Sequence, residues 1–217
     1  MAGNAYTLAI GSKDTSSWSL RPWLLMRHAD IDFHEIVIPL RQPDTRANIL
    51  KHSPSGQVPV LGHGSVTVWD SLAIAEYLHE RHPEAKLWPA GTAARAHARC
   101  ISAEMHASYR ELRFGLPMEF SSRGLTPQIT VQCAADIARI VQIWRHARKT
   151  FGAGGPFLFG AFTIADAMFA PVTSRFTTYA TRLADYGDDG TAGSYGAMMM
   201  GLPAMLDWGR AAATETQ

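Results

Sequence analysis

Apolar positions follow two different periods along this chain. Up to about Arg81 the pattern alternates between short β-type runs and helical stretches, and beyond it the spacing is almost wholly helical. In the first part, Leu20, Trp23 and Leu24 form the core face of a helix that the Ser16-Ser17-Trp18-Ser19 stretch opens. Two short β-runs, Val60 to Leu61 and Val66 to Trp69, flank the turn Gly62-His63-Gly64-Ser65, and Asp70-Ser71 then precedes the apolar face Ile74, Ala75 and Leu78. The stretch His82 to Pro89 carries two prolines that forbid a helix across it, and its Leu87 and Trp88 are expected to pin the two parts together. After it the pattern predicts a helix from Thr92 to Arg113 ended near Pro117, and a second from Thr126-Pro127 to Phe151. A loop, GAGGPFLFG, then leads to a core helix opened by Thr163-Ile164-Ala165-Asp166, a capping box of structural character. Asp185 to Gly193 reads as a mobile surface loop, and Leu202-Pro203 starts a last helix ending near Trp208.

The segment from Ser53 to Ser71 carries the most chemistry. A proline at the mouth of a strand cannot donate to a ladder, so Val58-Pro59 marks an edge; in a cis state the amide and carbonyl of Val58 would face an extended ligand. Asp70-Ser71 opens a helix whose first amides can hold a carboxylate. A small peptide with its own carboxylates suits both features, whereas either dipeptide alone is most often a plain turn or cap.

Composition narrows the class. The chain has 217 residues with 47% hydrophobic content, enough for one large or two modest domains. A formal net charge of +1 gives no basic footprint for nucleic acid. Two distant cysteines, Cys100 and Cys133, form neither a disulfide framework nor a CxxC motif, and no stretch of transmembrane length occurs, so a soluble cytoplasmic protein without a membrane partner is expected. Nine histidines invite a metal, yet the pairs His79 with His82 and His97 with Cys100 lack a third ligand, and no metal is expected. Met198-Met199-Met200 reads as packing.

Together SPSGQVPVL and WDSLAIAEYLHER resemble the glutathione-binding half of the glutathione transferases, specifically bacterial members of the beta and zeta type. Tyr6 to Ile10 is similar to the first strand of that fold, SSWSLRPWLLMRHADIDFHEIVI to its first helix and second strand, and Phe162 to Ala167 to the buried capping box of its helical domain. The resemblance implies an α/β thioredoxin-like N-terminal domain over 1–82, a linker over 83–91 and an all-α C-terminal domain over 92–217. It also implies a homodimer in which the first domain of one subunit meets the long helices of the other.

What the family does with these residues sets further expectations. Glutathione is the implied co-substrate, with the backbone of Val58 beside Pro59 meeting its cysteinyl part, Asp70 and Ser71 its γ-glutamyl end, and Trp18 and Gln57 flanking it. Arg41, Lys51, His52 and Gln57 are candidates for the glycine carboxylate. Beta-type relatives have a cysteine, and zeta-type relatives SSC followed by Ser-x-Arg, where this chain has Trp18, so thiol activation falls to Ser17, with Ser16 as the alternative. A free thiol titrates near 8.5, and a hydroxyl at the positive end of a helix favours its thiolate. The electrophile pocket would lie between the domains, over Trp18 and the helix carrying Met105, His106, Tyr109 and Arg110, while Arg175 is expected at the solvent. The implied reaction is addition of the thiolate to a small hydrophobic electrophile. The alternatives are a zeta-like cis-trans isomerase of a dicarboxylate, of the maleylacetoacetate type, and a binding or regulatory protein that kept the fold without the chemistry.

Overall fold

A computed structural model describes residues 5–215, so the outermost residues of the two expected domains, 1–4 and 216–217, lie outside the described chain. Four strands form one sheet in the order β2-β1-β3-β4. β1 (Tyr6–Gly11) runs parallel to β2 (Phe33–Ile38), while β3 (Val60–His63) is antiparallel to β1 and to β4 (Val66–Val68). β1 lies between two neighbours, and its Leu8 and Ile10 are fully buried, as a central strand requires. β4 is the sheet edge, turned back after β3 at Gly64-Ser65.

Helix α1 (Ser17–His28) connects β1 to β2, and α3 (Ser71–Arg81) follows β4; both pack together on one side of the sheet. The short α2 (Thr45–Leu50) covers the other side, where Ile49 joins Ala9, Ile38 and Val60 in a small satellite core. The remaining helices are α4 (Thr92–Ala107), α5 (Arg110–Gly115), α6 (Val131–Phe151), α7 (Ile164–Thr178), α8 (Thr191–Met200) and α9 (Pro203–Thr214). Apart from Thr177, every residue of α7 is buried, so it is a central helix with no polar face. It packs against α1, α4 and α8, and one continuous apolar cluster runs from Tyr6 through both halves to Ala212.

The connection between the halves is held from both sides. Leu87 and Trp88 are buried; Ile164 donates its amide to the Leu87 carbonyl at 2.9 Å, and the Trp88 indole donates to Glu76 of α3 at 3.2 Å. Phe162, which has only Ala167 as a local staple partner, stacks instead on His28 at the end of α1, with ring centroids 3.9 Å apart.

Four elements differ from the sequence expectation. The helix predicted over Thr92 to Arg113 breaks at Ser108 and Tyr109, where Tyr109 takes a left-handed φ of 64°. Arg113 folds back to donate to the Met105 carbonyl at 2.7 Å, satisfying the end of α4, and Asp136 of α6 accepts the Leu112 amide at 2.9 Å, capping α5. The next helix begins at Val131 and not at Thr126-Pro127, because the Gln128 amide is tied to Gly115 and Thr130 supplies the cap through the Cys133 amide at 3.0 Å. The stretch Asp185 to Gly193 is not an open loop. A 3-10 turn over Leu183–Tyr186 leads to Asp188, whose carboxylate accepts the amides of Ala192 and Gly193 at 2.8 and 2.9 Å and starts α8. Helix α9 continues past Trp208 to Thr214, since Ala212 is also buried and Glu215 accepts the amides of Lys13 and Asp14 at 2.8 and 3.3 Å.

Asp166 is the polar centre of the helical half. Its carboxylate has no exposure and accepts from the amides of Leu158 (3.0 Å) and Thr163 (2.8 Å) and the hydroxyls of Thr163 (3.0 Å) and Tyr195 (3.2 Å). Burial outweighs these donors and raises its pKa to about 6. Because the folded value lies above the unfolded one, the native state holds this proton longer, and the stability it brings at low pH is lost as pH rises from about 4 to about 6. Chemical denaturation across that window is therefore expected to show wild type losing up to about 3 kcal/mol relative to Asp166→Asn; a pH-independent difference would exclude this carboxyl as the source.

Candidate active site

The start of α1, the end of the α2–β3 connection and the start of α3 converge on one cavity of about 490 Å³. Thr15, Ser16 and Trp18 line it from the first, Ser55 to Pro59 from the mouth of β3, Trp69 to Ser71 from the start of α3, and His106 reaches it from α4. Each element delivers its residue for a local reason. Asp70 caps α3 by accepting the amides of Leu72 and Ala73 at 3.0 and 3.3 Å, which sets Ser71 at the first helical position facing the cavity. Val58-Pro59 is cis, and neither the amide nor the carbonyl of Val58 has a hydrogen-bond partner among the described residues. The Trp69-Asp70 bond is cis as well.

The two candidate serines are placed differently. Ser16 stands at the cap position of α1 and lines the cavity, its hydroxyl donating to Ser19 at 2.7 Å; Ser19 in turn accepts the Gly11 amide at 3.0 Å. Ser17 is the first residue inside the helix, is buried, and is not among the lining residues. Thr15, which no sequence motif singles out, adds a further hydroxyl-bearing side chain to the wall.

Of the four residues expected to form the electrophile pocket, His106 alone lines this cavity. Its ring meets Trp18 edge-on with centroids 5.2 Å apart, its Nε2 lies 3.1 Å from Asp70 Oδ2, and its buried Nδ1 has no partner among the described residues. Met105, one residue away and so about 100° round the helix, points into the core. The break at Tyr109 turns α5 out of the line of α4. The Tyr109 hydroxyl is hydrogen-bonded to Glu104, which together with burial raises its pKa, and Arg110 is exposed over Phe114.

Arg41 lines an adjoining cavity of about 390 Å³ together with Asp14, Glu119 and Glu215, and Thr15 and Leu40 belong to both walls. Lys51 and His52 line neither. Arg46 lays its guanidinium against Gly56, where a Cβ would come within 3.0 Å of Nη1, and so stands at the rim of the larger cavity. Its signal was weak, an exposed arginine on a short helix far from any motif.

Two arginines lie over the Trp18 ring, Arg21 at 4.3 Å and Arg113 at 4.7 Å from its centroid. Arg175, expected at the solvent, is instead 5% exposed and donates to the main-chain carbonyl of Leu116. The correction has a simple cause, since α7 has no solvent face along its length and the end of α5 needs a donor. Burial, then the nearby Arg113 charge, lowers the Arg175 pKa to about 9, and burial followed by Arg113 and Arg175 pushes Arg21 down as well.

Residues 15–81 match the glutathione S-transferase N-terminal domain, and residues 127–208 the glutathione S-transferase C-terminal domain, together more than half of the chain. With the thioredoxin-like sheet followed by the helical half, this places the chain in the glutathione S-transferase superfamily. A probable maleylacetoacetate isomerase of Caenorhabditis elegans is 31% identical over 90 residues, 42% of this chain and 41% of that protein. Glutathione S-transferase 1 of Dianthus caryophyllus is 34% identical over 85 residues, 39% of this chain and 38% of that protein. The aligned segment thus spans less than half the length of either curated relative. A glutathione transferase homologue from Burkholderia gl BGR1, solved with bound glutathione, has the same fold at a TM-score of 0.69 and 20% identity, covering 97% of this chain and 100% of that one.

The two roles of Asp70 separate by stability. Asp70→Ala should lower the unfolding free energy by about 1 kcal/mol through loss of the α3 cap, whereas His106→Ala should change it by less than about 0.5 kcal/mol, since a pair this open to water is screened. Urea unfolding of both variants checks this, and equal losses would make the ion pair the larger contribution.

Proposed function

We propose that this chain binds glutathione in the larger cavity and adds its thiolate to a small hydrophobic electrophile. The observation that carries the reading is that one cavity gathers Ser16, Trp18, Gln57, Val58, Pro59, Asp70 and Ser71, from three separate elements. The open amide and carbonyl of Val58 suit the extended cysteinyl part of the peptide. The first turn of α3 with Ser71 suits the γ-glutamyl carboxylate. Gln57 and the rim guanidinium of Arg46 stand at the other end, where the glycine carboxylate would lie, and Arg41 has no place in that contact.

Thiol activation is assigned to Ser16, the serine that lines the cavity. Its hydroxyl can turn from Ser19 to the sulfur, because Ser19 retains the Gly11 amide. The amides and the positive end of α1 add to the preference for the anion. His106, edge-on to Trp18 and with Nε2 3.1 Å from Asp70, adds a polar ring to the same wall.

A second reading, a zeta-like isomerase in which the thiolate adds to a dicarboxylate, permits rotation and leaves, draws on the Caenorhabditis elegans relative and on the arginines around Trp18. Turnover with maleyl compounds, measured beside aryl halides, epoxides and peroxides, separates it from the first. Retention on immobilised glutathione without any turnover would leave the binding or regulatory reading.

We also infer a homodimer in a reducing, cytoplasmic setting. Val66 and Trp69 at the sheet edge, and Phe114 and Val131 on the helical half, are exposed apolar side chains on the two surfaces that the family-like arrangement would bring together. Sedimentation at micromolar concentration should show twice the chain mass, and a monomer would defeat this arrangement.

The assignment of Ser16 is tested by titrating the thiolate absorbance of the glutathione complex. A hydrogen bond to a charged group of about 1.5–3 kcal/mol corresponds to roughly one to two pKa units. Ser16→Ala should therefore raise the bound thiol by that much and lower kcat, with Ser17→Ala close to wild type. The reverse pattern would move the role to Ser17.

A further inference from the structure

Ser16 stands at the cap position of α1, yet its hydroxyl caps no amide of the helix. It is given to Ser19 instead, three residues on and on the same helix face, at 2.7 Å. Ser19 has no exposure, and its oxygen also accepts the Gly11 amide at 3.0 Å. That amide is a fixed donor. Gly11 ends β1 so close to Leu40 that a Cβ there would come within 2.7 Å of Cδ1, and the Leu40 amide is itself tied to Ser12 Oγ at 2.9 Å.

A hydroxyl has one proton and two lone pairs, and both lone pairs of Ser19 are taken. Its own proton enters no further hydrogen bond among the described residues, and a buried donor without an acceptor is unfavourable. The resting arrangement is thus one acceptor short, one bond away from the cavity wall. An anion in the cavity removes the shortage. When Ser16 turns its proton outward to a thiolate, its oxygen is free to accept from Ser19, and every group in the row is paired. Each hydroxyl keeps its own proton, and only the O–H directions change. A hydroxyl that accepts a hydrogen bond is a stronger donor, and such rows polarise one another most in a dry site.

We propose that Ser19 is a positioning residue for the thiolate. It backs Ser16 by donating to its oxygen when the anion is bound, so that the Gly11 amide, Ser19 and Ser16 form one directed chain ending at the sulfur. This rests on the glutathione reading and on Ser16 as the serine that meets the thiol, and it gives the fully buried Ser19 a part in the chemistry that holding the Gly11 amide does not.

The test is a double-mutant cycle between Ser19→Ala and Ser16→Ala in the full chain, read as the ionisation of the bound glutathione thiol from its thiolate absorbance against pH. Ser19→Ala should weaken that ionisation roughly two- to fivefold, with affinity for the neutral thiol form close to wild type. In the Ser16→Ala background the same substitution should change nothing, because the chain is already cut at its end. A merely structural role, loss of the hold on β1, would weaken ionisation by the same factor in both backgrounds, and that additivity would overturn the proposal. Unchanged ionisation in Ser19→Ala would overturn it too. Should Ser19→Ala not fold, Ser19→Cys, of similar volume with a weaker donor, carries the same cycle and the same expectations. Bound glutathione whose ionisation ignores Ser16→Ala would remove Ser16 from its role and this proposal with it, whereas a wild type that binds no glutathione would sink the glutathione reading itself.

Discussion

Helix α1 has little contact with solvent before its last turn. Leu20, Leu24, Leu25 and Met26 are fully buried and Trp23 nearly so, because the helix lies between the sheet on one side and α7 on the other. Two layers that each need an apolar cover share the same helix, and removing it would expose both. The functional consequence sits at its N-terminus. Ser16 and Trp18 emerge where α1 leaves that packing, so their positions are set by the core and not by a free loop. Glu215 and Trp208 secure the same corner from α9, by accepting the Lys13 and Asp14 amides and by an indole bond to the Lys13 carbonyl at 2.8 Å.

Electrostatics give the corner its second character. Arg21 lies against Trp18 and Ser71, Arg113 lies over the same Trp18 ring, and Arg175 adds its charge to Arg21's surroundings, with Asp70 as the carboxylate that offsets Arg21. Arg113 is tolerable because carbonyls at the broken junction of α4 and α5 take its donors, and Arg175 because the Leu116 carbonyl at the end of α5 takes one of its own. That junction is therefore more than a connection: the break at Tyr109 leaves the Met105 and Ser108 carbonyls to hold Arg113 over the Trp18 ring. Proteins keep such under-compensated charge where an anion is to be bound, and a thiolate with two carboxylates is an anion of that kind.

Features whose partners lie close in the chain were legible from the residues alone. Asp70 caps amides two and three residues ahead, Asp166 turns back on Thr163, Val58-Pro59 stands where a strand begins, and the family resemblance rests on these same segments. Local hydrogen bonds and helical or strand periodicity leave their mark at fixed offsets, and a pattern at fixed offsets can be read without the fold. The remaining features were settled by packing between distant segments. Whether Ser16 or Ser17 faces the cavity depends on one rotation step at the helix start, which neighbours on β3 and α3 set. The break at Tyr109 depends on Asp136, the burial of Arg175 on the carbonyl of Leu116, and the unpaired state of Arg21 on what α3, α4 and α5 fail to bring near it. Each joins residues tens of positions apart, and nothing in the local pattern records whether a distant donor finds its acceptor.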